Sequence, residues 1–227
     1  MDDLTLVIPA KKEKESLPYV LKELKNYIKN INIVLEKSDI ETLNSLSNFN
    51  CKIIYQKNRG YGDAIIQGIS NVNTKYYCIF NADGSFDPSE LKKMYTLIKN
   101  DKYDLVFGSR YEKNAGSEDD TLITLFGNYF FSFICKILFK LNISDILYTY
   151  VLGNTVKTIN LNLVQKDFTF CVELPIKAKI NKLKIVSSAC YERRRIGGKK
   201  KVNEFQDGFL ILMHIIKLFF KIQFKFK

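Results

Sequence analysis

The sequence predicts an α/β fold: a mostly parallel sheet flanked by helices, with amphipathic helices in the C-terminal half. Three observations predict it. Short β-rich apolar runs end in small or polar residues, segments of helical apolar spacing lie between them, and the alternation repeats through the first half of the chain.

The elements follow in order. "LTLVIPA" (4–10) reads as the first strand, and "SLPYVLKELKNYIKN" puts Leu17, Val20, Leu21, Leu24 and Ile28 on one helical face. "INIVLE" (31–36) and "CKIIYQ" (51–56) are the next strands, and "QKNRGYGDAIIQGI" (56–69) brings two glycines and an arginine into a helix. "YYCIFNAD" (76–83) is a buried strand. "SELKKMYTLIKN" is a helix with Leu91, Met94, Leu97 and Ile98 inward, and "YDLVFGSR" (103–110) is a fifth strand. In such sheets ligands bind beyond the carboxyl ends of the strands, so each polar strand end is a candidate site.

The second half changes character. "LITLFGNYFFSFICKILFKL" (122–141) is about as long as the ~20 apolar residues that cross a bilayer. Thr124, Asn128, Ser132, Lys136 and Lys140 nevertheless recur every fourth residue as one polar stripe. A single crossing would also put Asp83 and the basic segment near Arg194 on opposite sides of a membrane. The segment therefore reads as an interfacial or core helix. In the tail "GFLILMHIIKLFFKIQFKFK", Lys217, Lys221 and Lys225 share a face opposite Phe and Ile, the pattern of a basic interfacial helix or of an ordinary packed surface helix. The expected organisation is one domain of two halves, 1–115 and 116–204, followed by a basic amphipathic tail (205–227).

Composition narrows the function. With 227 residues, 46% hydrophobic, the chain can bury one substantial core. Its net charge of +11 favours anionic partners such as a nucleotide, a phospholipid headgroup or a nucleic acid. The cysteines at 51, 78, 135, 171 and 190 have no CxxC spacing, which argues against a disulfide framework or zinc site and for a reducing cytosol. The acidic opening "MDDLTLVIPAKKEKE" lacks the basic start and long apolar run of a signal peptide. The single histidine, His214, lies in an apolar helical stretch, which argues against Ser/His/Asp catalysis and a histidine-rich metal site and for a tail residue with a satisfied ring.

The candidate chemistry lies at the strand ends. Asp83 and Asp87 follow a buried strand, where carboxylates can hold Mg²⁺ or Mn²⁺ against phosphates, although Asp-Gly-Ser also makes good turns. The glycine segment can present free backbone N–H groups to phosphate, or simply turn. "FGSRY" offers Arg110 and "RRRIGGKKK" (193–201) a flexible cationic loop, suited to phosphate or merely solvated. Glu173, in "FTFCVELPIKAK", is a first-turn dipole partner or a functional base.

Taken in order, these pieces resemble the family-2 glycosyltransferases of the GT-A fold, especially the dolichol- and polyprenyl-phosphate sugar transferases. The family's "VIPAYNEExNLP" corresponds to "VIPAKKEKESLP" (7–18), its glycine segment to "NRGYGDAIIQGI" (58–69), its "DADxxxxP" to "NADGSFDP" (81–88) and its "GSRY" to "GSRY" (108–111). Its helix start is similar to "VELPIKAK" (172–179) and its "RxxGxSK" loop to "RIGGKKK" (195–201), or to Arg194 and Gly197 with Lys200 as the final lysine.

The resemblance implies a nucleotide-diphosphate sugar across the strand ends, with 1–115 the nucleotide-sugar-binding half and 116–204 the acceptor-binding half of the same domain. Pro9, Ala10, Glu13 and Glu36 would lie near the nucleoside, with Gly62 and Asn81 also on the donor. Asp83 would coordinate a divalent metal, Mg²⁺ or Mn²⁺, on the diphosphate. Arg110, Arg194 and Lys200 would meet an anionic acceptor or the leaving diphosphate, and Glu173 would be base or acceptor-orienting group. It implies an inverting transfer to a polyprenyl-phosphate or lipid-linked acceptor, by a protein peripheral on the cytoplasmic, inner face of a membrane. Three departures stand out: Asn81 replaces the family's first aspartate, Lys11-Lys12 its Tyr-Asn pair, and "LEKSDIET" (35–42) its "DDGSxD" loop. Two alternatives stay open: a cell-envelope glycan hydroxyl as acceptor, or a non-enzymatic binder of anionic surfaces or nucleic acid. The absence of an aromatic-basic RNA motif or helix-turn-helix pattern counts against nucleic acid. A nucleotidyltransferase lacks support because no G-x-G-x(4)-R loop follows the first strand.

Overall fold

The computed structural model describes residues 1–197 and 201–225. Seven strands form one sheet: β1 (Leu4–Pro9), β2 (Asn30–Leu35), β3 (Lys52–Tyr55), β4 (Tyr76–Ile79), β5 (Leu105–Ser109), β7 (Val151–Asn154) and β8 (Ile185–Ala189). Their order is β3-β2-β1-β4-β7-β5-β8. All pairs are parallel except those of β7, which runs antiparallel between β4 and β5. Two-residue strands β6 (Gly116–Ser117) and β9 (Tyr191–Glu192) form a separate parallel pair.

The helices are α1 (Leu17–Leu24), α2 (Ile40–Asn44), α3 (Tyr61–Ser70), α4 (Glu90–Lys99), α5 (Leu122–Phe139), α6 (Thr155–Ile159), α7 (Phe170–Ile180) and α8 (Glu204–Lys225). Successive strand residues point to opposite faces, so Leu6 and Ile8 join one core and Val7 the other. The first core is closed by Leu17, Val20 and Leu24 of α1 with Leu91 and Met94 of α4. The second is closed by Ile65 of α3, Phe131 of α5, Val172 of α7 and Ile215 of α8. A parallel sheet buried on both faces needs such cover, which explains its nearly continuous apolar strands.

The five expected strands are present, and β7 and β8 join them. β7 is four residues long with a glycine at its centre, so it carries no alternating pattern. Gly153 is required there, because a Cβ would stand 2.5 Å from Leu105 Cδ2 and 2.7 Å from the Tyr77 ring. Residues 35–42 were expected as a loop; part of them forms α2, capped by Asp39, whose Oδ1 accepts from the Thr42 N–H at 3.3 Å.

Over residues 122–133 helix α5 is inside out. Asn128 and Ser132 of its polar stripe are buried, and Ser132 Oγ accepts the Ile146 N–H at 3.1 Å. Several apolar residues face outward, with Leu122 84%, Phe126 74% and Phe133 62% exposed, while Phe131 and Cys135 pack into the core and Lys136 and Lys140 are exposed. By length and composition it is also the one helix among the described residues able to cross a membrane. Helix α8 packs on α5 and α7 through Ile211, Ile215 and Leu218, and turns Phe205, Phe209, Phe220 and Phe224 outward. The side chain of Lys225 lies outside the described residues.

Candidate active site

The carboxyl ends of β2, β1, β4 and β5 lie along one edge of the sheet. Because β7 runs the other way, residues 147–149 enter that edge just before it. Together they enclose a cavity of about 580 Å³. Pro9, Ala10, Glu13 and Glu36 line one end, Asn81 and Asp83 the middle and Arg110 the far end.

At the β1–β2 end, Lys11 pairs with Glu36 at 2.8 Å. Glu13 is buried; its Oε2 accepts the Ser16 hydroxyl at 2.6 Å, and its backbone N–H donates to Thr42 Oγ1 at 3.0 Å. The Lys12 N–H donates to Asp39 Oδ2 at 2.6 Å, so α2 is tied to the end of β1.

At the β4 end, Asp83 Oδ1 accepts both the N–H and the hydroxyl of Ser85, at 3.0 and 2.7 Å. Asn81 Nδ2 donates to Ser85 Oγ at 3.4 Å. Gly84 has φ +85°, a left-handed turn, and a Cβ on it would meet the Ile196 side chain at 2.5 Å. The segment 193–197 is strapped over this loop by Arg193 N–H to Ser85 O and Ile196 N–H to Asp83 O, both 2.8 Å. Asp87 does not line the cavity; its Oδ1 accepts the Ser89 N–H at 2.8 Å and turns the chain into α4.

The described residues hold no cluster of three or more His, Cys, Asp or Glu that would cage a metal by themselves. One carboxylate and one amide in the cavity, Asp83 and Asn81, suit a hard divalent cation that takes most of its oxygens from a diphosphate.

The glycine segment works differently from the phosphate cradle considered above. Asp63 fills the first turn of α3, its two oxygens accepting the N–H and Nδ2 of Asn58 at 3.0 and 2.9 Å, while its own N–H donates to Lys166 O. One N–H of the helix start, that of Asp63, is thus already partnered, and Arg59 is exposed. The glycines are needed for close approach. A Cβ on Gly60, at φ +120°, would lie 2.1 Å from Lys166 O, and one on Gly62 2.3 Å from Gln165 O. Gly60 and Tyr61 line the cavity; Gly62 is packed behind them.

Glu173 is not brought to the cavity. It is 1% exposed; Oε2 accepts the N–H groups of Val164 and Gln165 at 3.0 and 2.9 Å, and Lys177 pairs with Oε1 at 2.8 Å. It holds the turn whose carbonyls press on Gly60 and Gly62, which is a positioning task.

Arg110 is also committed. It grips Asp145 with Nε and a terminal nitrogen at 2.7 and 3.0 Å, and its other terminal nitrogen reaches Glu192 at 3.1 Å and Asp120 at 3.4 Å. Its guanidinium lies 4.7 Å from the Tyr148 ring centre and 5.3 Å from that of Tyr111. Burial pushes the Asp145 and Glu192 carboxyls above their usual range, against the pull of Arg110. Burial opposes the charge of Arg110 too, but Asp145 and Glu192 outweigh it and hold the guanidinium firmly protonated. A guanidinium facing three carboxylates is not a free phosphate ligand, which corrects the expected role.

The cationic loop is offset by one residue from the expectation. Arg194 is exposed and outside the cavity lining, its N–H donating to Glu118. Lys200 lies outside the described residues. Arg195 and Lys201 line the cavity instead, paired with Asp119 and Glu13 respectively. Sequence reading also missed Asp119, Asp120, Tyr148, Thr149 and Glu192 as lining residues. For Thr124 and Asn128 the signal was present, since both belong to the polar stripe of α5.

Residues 5–157 match the family model described as glycosyl transferase family 2. A glycosyltransferase of Mycobacterium tuberculosis is 25% identical over 210 residues, covering 92% of this chain and 94% of its own. The UDP-N-acetylglucosamine–dolichyl-phosphate N-acetylglucosaminyltransferase of Methanococcus voltae is 28% identical over 205 residues, covering 79% of this chain and 81% of its own. Among solved structures, glucosyl-3-phosphoglycerate synthase from M. tuberculosis, in complex with Mn²⁺, UDP and glucosyl-3-phosphoglycerate, superposes with a TM-score of 0.74 at 10% identity, over 95% of this chain and 79% of its own. Mannosyl-3-phosphoglycerate synthase from Rubrobacter xylanophilus gives 0.71 at 10%, over 98% and 75%. At those identities the likeness shows the fold, GT-A. Since the family match runs from β1 through β7 and so spans the strand ends that build the cavity, the chain belongs to glycosyl transferase family 2 and is a glycosyltransferase that draws on a nucleotide-sugar donor.

Proposed function

We propose that this glycosyltransferase moves a sugar, with inversion, onto a polyprenyl-phosphate or lipid-linked acceptor at the cytoplasmic face of a membrane. The observation that carries this reading is the inside-out α5. One side of the helix puts Thr124 and Asn128 into the cavity wall, and the other exposes Phe126, Phe130 and Phe133. The outward face of α8 adds Phe209, Phe220 and Phe224, and Lys136, Lys140, Lys217 and Lys221 are exposed near them. Apolar residues rimmed by lysines suit the boundary between acyl chains and anionic headgroups. A lipid acceptor would then meet the cavity at the surface on which the protein rests. The dolichyl-phosphate acceptor named for the Methanococcus voltae relative supports the same reading.

The chemistry balances without a strong base. An acceptor phosphate oxygen attacks the anomeric carbon, the bond from that carbon to the diphosphate breaks, and the nucleoside diphosphate leaves with the electron pair. No proton has to be removed from such a nucleophile, in keeping with Glu173 standing outside the cavity. Asp83 and Asn81 would hold Mg²⁺ or Mn²⁺ on the diphosphate; when bound, that cation supplies positive charge against the leaving group. Arg195 and Lys201 line the same cavity, each held by one carboxylate, Asp119 and Glu13, and would have to exchange that partner to meet the diphosphate.

The test is transfer of radiolabel from UDP-N-acetylglucosamine, UDP-glucose and GDP-mannose into the organic phase, using vesicles doped with polyprenyl phosphate. Label in the lipid fraction supports the reading. Label only on a soluble hydroxyl acceptor, or none in any fraction, sinks it.

A further inference from the structure

Resting on the nucleotide-sugar reading, we propose that Asn128 and Tyr148 read the hydroxyl groups of the transferred sugar at the β7–β5 end of the cavity. The sheet sets the direction. Glu36 follows β2, Asp83 follows β4, Tyr148 precedes β7 and Arg110 follows β5, and these strands lie in the order β2-β1-β4-β7-β5. At ~4.8 Å per strand the span is about 19 Å. A nucleoside diphosphate sugar is itself linear. With its nucleoside toward Glu36 and its diphosphate at Asp83, its sugar falls beyond, against Tyr148.

Two buried oxygens there lack partners among the described residues: Asn128 Oδ1 and the Tyr148 hydroxyl. Each residue is 4% exposed and lines the cavity. The amide orientation follows from its neighbours. The Tyr111 hydroxyl gives its proton to Asp120 Oδ2 at 2.6 Å, so its oxygen can only accept, and it accepts from Asn128 Nδ2 at 3.0 Å. Asn128 Oδ1 is left as an acceptor awaiting a donor. The Tyr148 ring is fixed by Arg110 and by Phe86 at 5.0 Å, and burial keeps its phenol protonated as a donor. Buried polar atoms without partners are costly and rare, and a ligand that completes them recovers that cost.

The ligand chemistry follows. An unmet acceptor and an unmet hydroxyl on the wall of one cavity suit a ligand that both gives and takes hydrogen bonds. The three carboxylates around Arg110 already occupy its guanidinium, so this end offers the diphosphate no free arginine and suits a neutral polyol.

The test is calorimetry on the full chain with UDP and GDP beside UDP-N-acetylglucosamine, UDP-glucose and GDP-mannose, each with Mn²⁺, for the unaltered protein, Tyr148→Phe and Asn128→Ala. The expected result is unchanged affinity for the nucleoside diphosphate and about tenfold weaker binding of the sugar nucleotide in each variant. Tyr148→Phe should also leave the Tm unchanged or raised, because it removes an oxygen that has no partner; a structural hydroxyl would lower it. Equal loss for diphosphate and sugar nucleotide, or no loss for either, overturns the proposal alone. So does a change confined to the KM of the acceptor. No binding of any nucleotide by the unaltered chain overturns it together with the donor reading beneath it.

Discussion

Glu173 accepts the Gln165 N–H at 2.9 Å, and the carbonyl of Gln165 in turn lies where a Cβ on Gly62 would need to be. A fully buried carboxylate thereby sets the backbone that backs the cavity wall at Tyr61. Replacing it by alanine leaves two N–H groups and the Lys177 ammonium without their acceptor.

Glu173→Ala should therefore cost stability rather than chemistry. Removing one partner of a buried, hydrogen-bonded charge costs about 3–5 kcal/mol, and at about 2–4 °C per kcal/mol for a chain of this size the Tm should fall by roughly 10 °C. Glu173→Gln, which keeps one acceptor, should lose less. Thermal melts beside kcat at 15 °C check this: a large drop in kcat at unchanged Tm would restore Glu173 as a base.

The apolar face of α5 gives a second separation of roles. Phe126 and Phe133 are largely solvent-exposed, so Phe126→Glu with Phe133→Glu should barely alter folding. Each phenylalanine withdrawn from an interface forfeits at most about 1.5–3 kcal/mol, so the pair should weaken vesicle binding by well over tenfold. Sedimentation with anionic vesicles measures this, and turnover on a water-soluble acceptor should survive. Binding that ignores the substitutions would remove α5 from the membrane face.

How much of this was legible in the chain depends on whether the signal was local. The strands β1 to β5 show in the sequence because both faces of a parallel sheet are buried, so their apolar runs are continuous; the helices between them show by their apolar spacing, except the five-residue α2. Asp83 follows from its strand end, whereas Asn81, Glu13 and Glu36 came with the family resemblance. The α5 stripe was visible at Thr124, Asn128 and Ser132, but spacing alone says nothing of which side faces inward. Arg110 misled for a similar reason, since its partners Asp120, Asp145 and Glu192 lie up to 82 residues away. The RRRIGGKKK loop has cations at neighbouring positions, and only its contacts with Ser85 and Asp83 choose Arg195 over Arg194.

Stability should also depend on pH through His214. Burial lowers its pKa from 6.5, with Lys217 and Lys177 pushing the same way and Glu173 and Asp167 opposing, and its Nε2 is among the buried atoms with no partner in the described residues. Below 6.5 the unfolded chain binds a proton that the folded chain resists, so this contribution is complete above 6.5 and is lost as pH falls. Between pH 7.5 and 5.5 the Tm should drop further in the unaltered protein than in His214→Phe. Parallel curves would mean that α8 accommodates the charged ring.

Asn81 and Asp83 make the metal requirement itself testable. Both line the cavity and both touch Ser85, but only Asp83 carries charge, so a divalent cation must rely on the diphosphate for most of its ligands. Asp83→Ala should then abolish the Mn²⁺-dependent part of nucleoside diphosphate binding while leaving any metal-independent part near its original strength. Asn81→Asp adds a second carboxylate at the same strand end. Without metal the two charges repel, which should lower the Tm; with Mn²⁺ they cooperate, and diphosphate binding should tighten by about tenfold, about 1.4 kcal/mol. Calorimetry across the four combinations of residue 81 and metal reads both effects. If Asn81→Asp changes neither Tm nor affinity, the two side chains do not share a cation, and residue 81 takes no part in holding the diphosphate.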